Sequence, residues 1–145
     1  MKTLSKKAHP YMRNNQNNKR RKLSGEWFTK AQEDELSAKD ILQDRQGAPG
    51  TVCFLSQQMA EKYLKGYLVY KGKRFPKIHQ LDRLTKLCEG IELDFQEIKE
   101  ESEFLSAFYI TTRYPGDYPQ FSFKQAEEAF EKASKIKKFV LAKIK

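Results

Sequence analysis

No apolar run in this sequence approaches the length of a membrane span or of a signal-peptide core. The longest are segments such as Val52–Leu55 and Phe139–Ala142, which suit a globular interior and a cytoplasmic protein. Cysteine is scarce: Cys53 and Cys88 are the only two, and they lack metal-ligand spacing. They are expected to be buried or half-buried thiols in a reducing compartment rather than a disulfide. Histidine occurs only twice, and no zinc spacing is present. There is no Gly-rich phosphate loop, and no Gly-Ser pair followed by the paired Asp signature of a nucleotidyltransferase. No cofactor and no metal are therefore expected. The alternation typical of strands is missing, as is any internal repeat.

The most uneven shortage is of acidic residues. Residues 1–24 hold no Asp or Glu, but contain Lys2, Lys6, Lys7, Arg13, Lys19, Arg20, Arg21 and Lys22. Removing these eight from the 28 Lys and Arg leaves 20 basic against 19 acidic residues, so the rest of the chain is nearly neutral. With sparse apolar residues and the run Asn14–Asn18, residues 1–24 read as a disordered or loosely attached basic arm. Such an arm is either a solvated extension or an electrostatic contact to RNA, DNA or an acidic protein face. Residues 25–145 read as one helical domain.

Within that domain the apolar spacing predicts helices throughout. A first helix spans about Glu26 to Gln46, with Phe28, Ala31, Ala38 and Leu42 in a stripe and Trp27 and Ile41 beside it. Glu35 interrupts the stripe, either at the edge of a rotated face or as a buried functional carboxylate. A second helix runs from Thr51, its expected N-cap, to about Lys71, and Gly72 and Pro76 mark its end. It carries two apolar rows: Val52, Ser56, Met59, Tyr63, Tyr67 and Tyr70, then Cys53, Ala60, Leu64 and Leu68. Two adjacent rows predict a central helix. Gln58, Glu61, Lys62 and Lys65 fall on the opposite, polar side, with Glu61 and Lys65 spaced as an i,i+4 pair.

A short third helix is expected over Lys77–Glu89, stopping at Gly90. A fourth is expected from Asp94 to about Ile110 or Thr111, opened by an Asp94/Glu97 capping box. Two prolines and a glycine make Arg113–Pro119 a loop. The last helix opens at Ser122 with Gln125 as its capping-box partner and turns Ala126, Phe130, Ala133, Val140 and Ile144 inward. The fold class is all-α: an up-down bundle of four long helices plus one short helix.

The stretch Gln57-Gln58-x-Ala60-Glu61-Lys62-x-Leu64-Lys65-x-Tyr67-Leu68 resembles the central helix of the HEPN family, named for a nucleotide-binding domain of higher eukaryotes and prokaryotes. Trp27 and Ala31 before it, Ile78–His79–Gln80–Leu81 after it, and Thr112–Arg113–Tyr114–Pro115 ahead of the last helix agree in order and spacing. The resemblance covers about Glu26 to Ile144. It implies the all-α bundle, a homodimer, and frequent pairing with a small nucleotidyltransferase subunit that supplies the catalytic carboxylates this chain lacks. Many members are metal-independent ribonucleases, including toxins of toxin–antitoxin pairs. They use an Arg, four to six residues, then a His, the Arg steadying phosphate charge and the His moving a proton.

One literal match occurs here, Arg74 to His79. With seven Arg and two His in the chain, chance supplies about 0.3 such matches. The match also lies between the second and third helices, whereas the family motif lies before the last helix. His79 is expected to orient its loop or to cap the third helix, outside any cleft. Arg113 stands near the family position but has no His in the window. Tyr118, five residues on, has a phenol of ordinary pKa about 10, a poor general base.

Arg113, Tyr114, Asp117 and Tyr118 are instead the candidate nucleotide or phosphate site: a guanidinium for phosphate, two rings for stacking and a carboxylate for a sugar or base. The bland alternative has Arg113 pairing with a helix terminus while the tyrosines pack the loop. Lys65, where the family tends to keep Lys, is a further ligand-binding candidate; its alternative is a charge on a solvated face. The functional expectation is an accessory, non-catalytic HEPN protein that binds nucleotide and partners a nucleotidyltransferase. Its alternatives are a HEPN ribonuclease with a degenerate motif and a structural dimerisation module. Among 17 Phe and Tyr, the side chains Tyr63, Tyr67, Tyr70, Phe104, Phe108 and Tyr109 are candidates for a surface patch covered by a partner.

Overall fold

A computed structural model describes residues 10–111 and 120–144, with side chains at 10–12 and 110–111 excepted. The all-α architecture expected is what it holds. Helix α2 (Pro49–Tyr70) is the axis. Helices α1 (Pro10–Asp44), α3 (Leu81–Glu89), α4 (Lys99–Ser106), α5 (Phe108–Thr111) and α6 (Phe123–Ala142) all pack directly on it, except for the ends that overhang. Val52, Cys53, Met59, Ala60, Tyr63, Leu64, Tyr67 and Leu68 of α2 are shut off from solvent. The two-row apolar face thus does what its width implies. No helix among the described residues is long and apolar enough to cross a membrane.

The start of α2 differs from expectation. Thr51 is not the N-cap; the helix begins at Pro49, with Ala48 in an extended conformation before it. Proline suits this first position because its fixed φ is already helical and its missing N–H has no partner to lose. The end follows the sequence closely. Gly72 adopts φ +69°, its N–H bonds the Val69 carbonyl at 2.9 Å, and the Lys73 N–H bonds the Leu68 carbonyl at 2.8 Å. That pair of bonds is a Schellman cap, which needs a residue at positive φ.

A further departure is in α1, which runs unbroken through residue 24. Residues 10–24, expected as a disordered or loosely attached arm, are helical. Between Pro10 and Gly25 there is no residue that must break a helix, and Ser24 is buried against the bundle. The rest of the described segment, from Arg13 to Leu23, is exposed. Further along, Ala31 and Ala38 form the buried stripe with Phe28 and Ile41 packed beside them. Glu35 is neither at an edge nor free. It is buried, and both of its oxygens accept from Lys137 Nζ of α6, at 2.9 and 3.0 Å.

The expected fourth helix is three pieces: a 3-10 turn at Leu93–Ile98, then α4, then α5. Phe95 and Ile98, three apart, are both fully buried, and a 3-10 turn eclipses positions three apart where an α-helix would splay them. Asp94 makes no capping box; its carboxylate bonds Lys143 Nζ at 2.8 Å instead. The short third helix begins at Leu81, four residues later than expected, with Gln80 at its cap position. At α6 the expected box is present: Ser122 Oγ accepts from the Gln125 N–H at 3.1 Å, and the Ser122 N–H donates to Gln125 Oε1 at 2.8 Å.

Among the described residues the buried aromatics are Tyr63, Tyr67, Phe95 and Phe108, and the others are half-buried. Tyr63 and Tyr67 are fully buried and Phe108 nearly so, which removes them from the expected surface patch. Phe28 stacks on Tyr63 at 5.7 Å, Tyr67 lies 4.6 Å from Phe95, and Phe95 meets the edge of Phe139 at 4.9 Å. Tyr70, Phe104 and Tyr109 remain half-buried. Cys53 and Cys88 are both free and buried. Burial pushes the Cys53 thiol up to about 11 and raises that of Cys88 as well, so both are inert thiols.

Candidate functional site

The four residues of α2 that pattern reasoning placed on a solvated face are turned into the protein or half-covered: Glu61 and Lys65 are buried, and Gln58 and Lys62 are partly so. Gln57 beside them is fully buried. The cause is the position of α2: with α1 on one side and the connection to α3 on the other, even its polar row is roofed. Glu61 is the hub. Lys65 Nζ donates to Glu61 Oε2 at 2.9 Å, and Gln57 Nε2 donates to Oε1 at 3.2 Å. His79 Nδ1 lies 3.1 Å from Oε2 and 3.2 Å from Oε1. Gln57 Nε2 also donates to the His79 carbonyl at 2.9 Å, which fixes the backbone of the connection.

The Lys65 ammonium is 5.8 Å from the ring centres of both Trp27 and Phe75, within cation–π range. Those two rings meet edge to face at 6.3 Å and close the side of the network nearest α1. His79 lies flat on Tyr109, with ring centres 4.1 Å apart and planes within 9°. Because a carboxylate only accepts, Nδ1 carries the proton, and in the neutral ring Nε2 holds the lone pair. The His79 side chain is 45% exposed, so this imidazole is oriented from within and reachable from outside.

The polar chain Lys65–Glu61–His79–Tyr109 thus runs from the centre of the bundle to α5, four residues before Arg113. Sequence spacing set His79 outside the cleft, with a loop-orienting or capping role. It does not cap α3, and its ring packs on the element that leads into the candidate loop. Arg113, Tyr114, Asp117 and Tyr118 lie outside the described residues. Lys65, the fifth candidate, is not on a solvated face; its charge is committed to Glu61 and two rings. Glu61 was legible as half of an i,i+4 pair and within the family-like stretch of α2, and His79 within Ile78–Leu81 and as the end of a chance-level motif. Their meeting needs a contact across 18 residues of chain.

Other charges close the bundle. Lys62 pairs with Asp34 of α1, and Lys135 of α6 donates to Glu101 of α4 at 2.8 Å. The Tyr67 hydroxyl donates to Glu92, whose carboxylate also lies 3.6 Å from Lys71 and 3.7 Å from Lys143. The hydrogen bond from Tyr67, against the effect of burial and helped by both lysines, holds the Glu92 carboxyl below the usual carboxylate range. A cleft of about 490 Å³ lined by Glu26, Trp27, Lys30 and Lys62 opens beside the Lys65 network. Among the described residues, no group of three or more His, Cys, Asp or Glu is gathered closely enough to hold a metal ion.

The comparisons with known proteins agree with this architecture. A family model described as "HEPN domain" matches residues 24–144. The crystal structure of TT1696 from Thermus thermophilus superposes with a TM-score of 0.72 at 29% identity, covering 83% of this chain and 98% of its own. That of ST0689, described as an archaeal HEPN homologue, superposes with a TM-score of 0.67 at 28% identity, covering 84% and 98%. No curated protein matches the chain.

Proposed function

The chain belongs to the HEPN domain family, and from that premise we propose that it is an accessory, non-catalytic subunit that binds a nucleotide and docks a small nucleotidyltransferase. The observation that carries the reading is the stack of His79 on Tyr109 of α5, with the His79 ring held by buried Glu61 of α2. Tyr109 stands four residues before Arg113 in the sequence, and in this reading the stack is the floor beneath the bound base. In this reading Arg113 takes the phosphate charge, Tyr114 or Tyr118 stacks on the base, and Asp117 accepts from the sugar. Lys65 acts through Glu61 rather than on the ligand. The nucleotidyltransferase brings the paired carboxylates that this sequence lacks. A homodimer covering half-buried Phe104, in the cytoplasm, completes the reading.

The test is equilibrium binding of the four nucleoside triphosphates to the full chain. Arg113→Ala weakens binding by about 1.5–3 kcal/mol, the worth of a charged hydrogen bond, and leaves the melting temperature in place. If Arg113→Ala unfolds the protein, the guanidinium is a structural tie and the reading fails. A second reading, a metal-independent ribonuclease, is favoured by the carboxylate-oriented His79 with its exposed ring, an arrangement able to move a proton. Cleavage of RNA in the presence of chelator, lost in His79→Ala, would replace the first reading with the second.

A further inference from the structure

The face of α1 that enters the core does not end where the core ends. Ser24, Phe28 and Ala31 point inward, and the same face, followed toward the N-terminus by three and four residues at a time, carries Arg21, Arg20, Asn17 and Arg13. Arg20 lies over the end of α2: its guanidinium occupies the space that a side chain on Gly72 would need. There it meets the carbonyl end of α2, where a cation is favoured. Residues 10–19 project past that contact by about 15 Å, at the ordinary helical rise. Asn17, Arg20 and Arg21 then face Tyr70 and Lys71 across a cleft of about 270 Å³. Tyr70 and Lys71 also line the next cleft, of about 320 Å³, with Glu92, Ala142 and Lys143.

The charge of this region is one-sided. Residues 10–24 carry five cations, Arg13, Lys19, Arg20, Arg21 and Lys22, and no anion. The acidic groups at its border are Glu92 and Asp94, and both are already paired with lysines, Glu92 with Lys71 and Lys143 and Asp94 with Lys143. We propose that the inner face of the α1 overhang and the C-terminal end of α2 form a docking groove for a single strand of nucleic acid. Arg13 and Arg21 take phosphates of the strand, Arg20 holds the groove together, and Tyr70 offers its ring to a base. A guanidinium row interleaved with an aromatic ring is the chemistry that tracks a flexible phosphodiester chain. A cleft of about 270 Å³ matches the size of a single nucleotide unit. The groove lies at the far end of α2 from Pro49 and does not use the Arg113 loop, so it stands independently of the nucleotide-binding reading.

The experiment is fluorescence anisotropy of a labelled short oligouridylate with the full chain over a range of salt. Arg13→Glu with Arg21→Glu lowers affinity by about tenfold or more and flattens the logarithmic salt slope by roughly 0.7 for each phosphate no longer engaged. Both positions are exposed, so an unchanged melting curve accompanies the loss. Lys19→Glu with Lys22→Glu, on the outer face of the same helix, removes equal charge and changes affinity by less than about threefold. Tyr70→Leu keeps the apolar body and loses about fivefold or more in binding. Equal losses from the inner and outer pairs would overturn the groove, as would equal affinity for a duplex. So would binding to anionic lipid vesicles with none to the oligonucleotide. Arg113→Ala is expected to leave this affinity intact; if it alone abolishes binding, the groove is wrong while the loop site stands.

Discussion

Replacing Lys65 by Met tests whether the buried network is structural in the way its geometry implies. Lys65 and Glu61 side chains are 8% and 6% exposed, and their charges are 2.9 Å apart. Removing the cation strands a buried carboxylate, which typically costs about 3–5 kcal/mol. Methionine keeps most of the stem between Trp27 and Phe75, so lost packing adds little. For 145 residues the unfolding entropy is about 0.3 kcal/mol/K, so the melting temperature should fall by about 10–16 K. In urea, with a slope of about 1–3 kcal/mol/M, the midpoint should fall by more than about 1 M. The double variant Glu61→Gln, Lys65→Met removes both charges while leaving an amide for Gln57 and His79. It should recover at least half of the loss. The assay is calorimetry with parallel urea titration at neutral pH. A fall of less than about 3 K for Lys65→Met, near 1 kcal/mol, would mean the pair behaves as a solvent-screened surface ion pair and that the network does not hold His79 in place.

Three further outcomes are expected. Tyr63 is fully buried with a hydroxyl that finds no hydrogen-bond partner among the described residues, and burial together with the charge of Glu35 pushes its pKa up to about 12. Tyr63→Phe should therefore raise stability by about 1 kcal/mol, and a loss on thermal melting would show that the hydroxyl is satisfied in solution. Gly66→Ala should destabilise by about 1–3 kcal/mol despite the better helix propensity of Ala, because its methyl group would enter the Phe28 ring; a gain in melting temperature would refute the contact. The Glu92 carboxyl is held below its ordinary pKa by Tyr67 first, against burial and with Lys71 and Lys143. A depressed folded-state value gives stability that is present above the unfolded pKa, about 4.5, and lost as pH falls through the folded value. Glu92→Gln should flatten the acid limb of the stability–pH profile, and an unchanged limb would reject the assignment.

The sequence by itself determined the helical class, the central place of α2, the Schellman stop at Gly72, the capping box at Ser122 and Gln125, and the inward face of α6. These are local: each depends on residues within a turn or two, where backbone chemistry and apolar period act directly. What only the tertiary structure decided is how much of each helix is covered. Period shows where the faces of α2 lie, but not that its polar row would be roofed, so Glu61 and Lys65 read as a surface pair when they are a buried hub. The Glu61–His79 contact and the His79–Tyr109 stack join residues from separate elements, and no spacing rule encodes them. The same limit applies to α1. Nothing between Pro10 and Gly25 forbids a helix, but the composition alone resembles a solvated arm. What keeps those residues on one continuous face is the burial of Ser24 and the contact of Arg20 with the end of α2, a contact between segments some fifty residues apart in the chain.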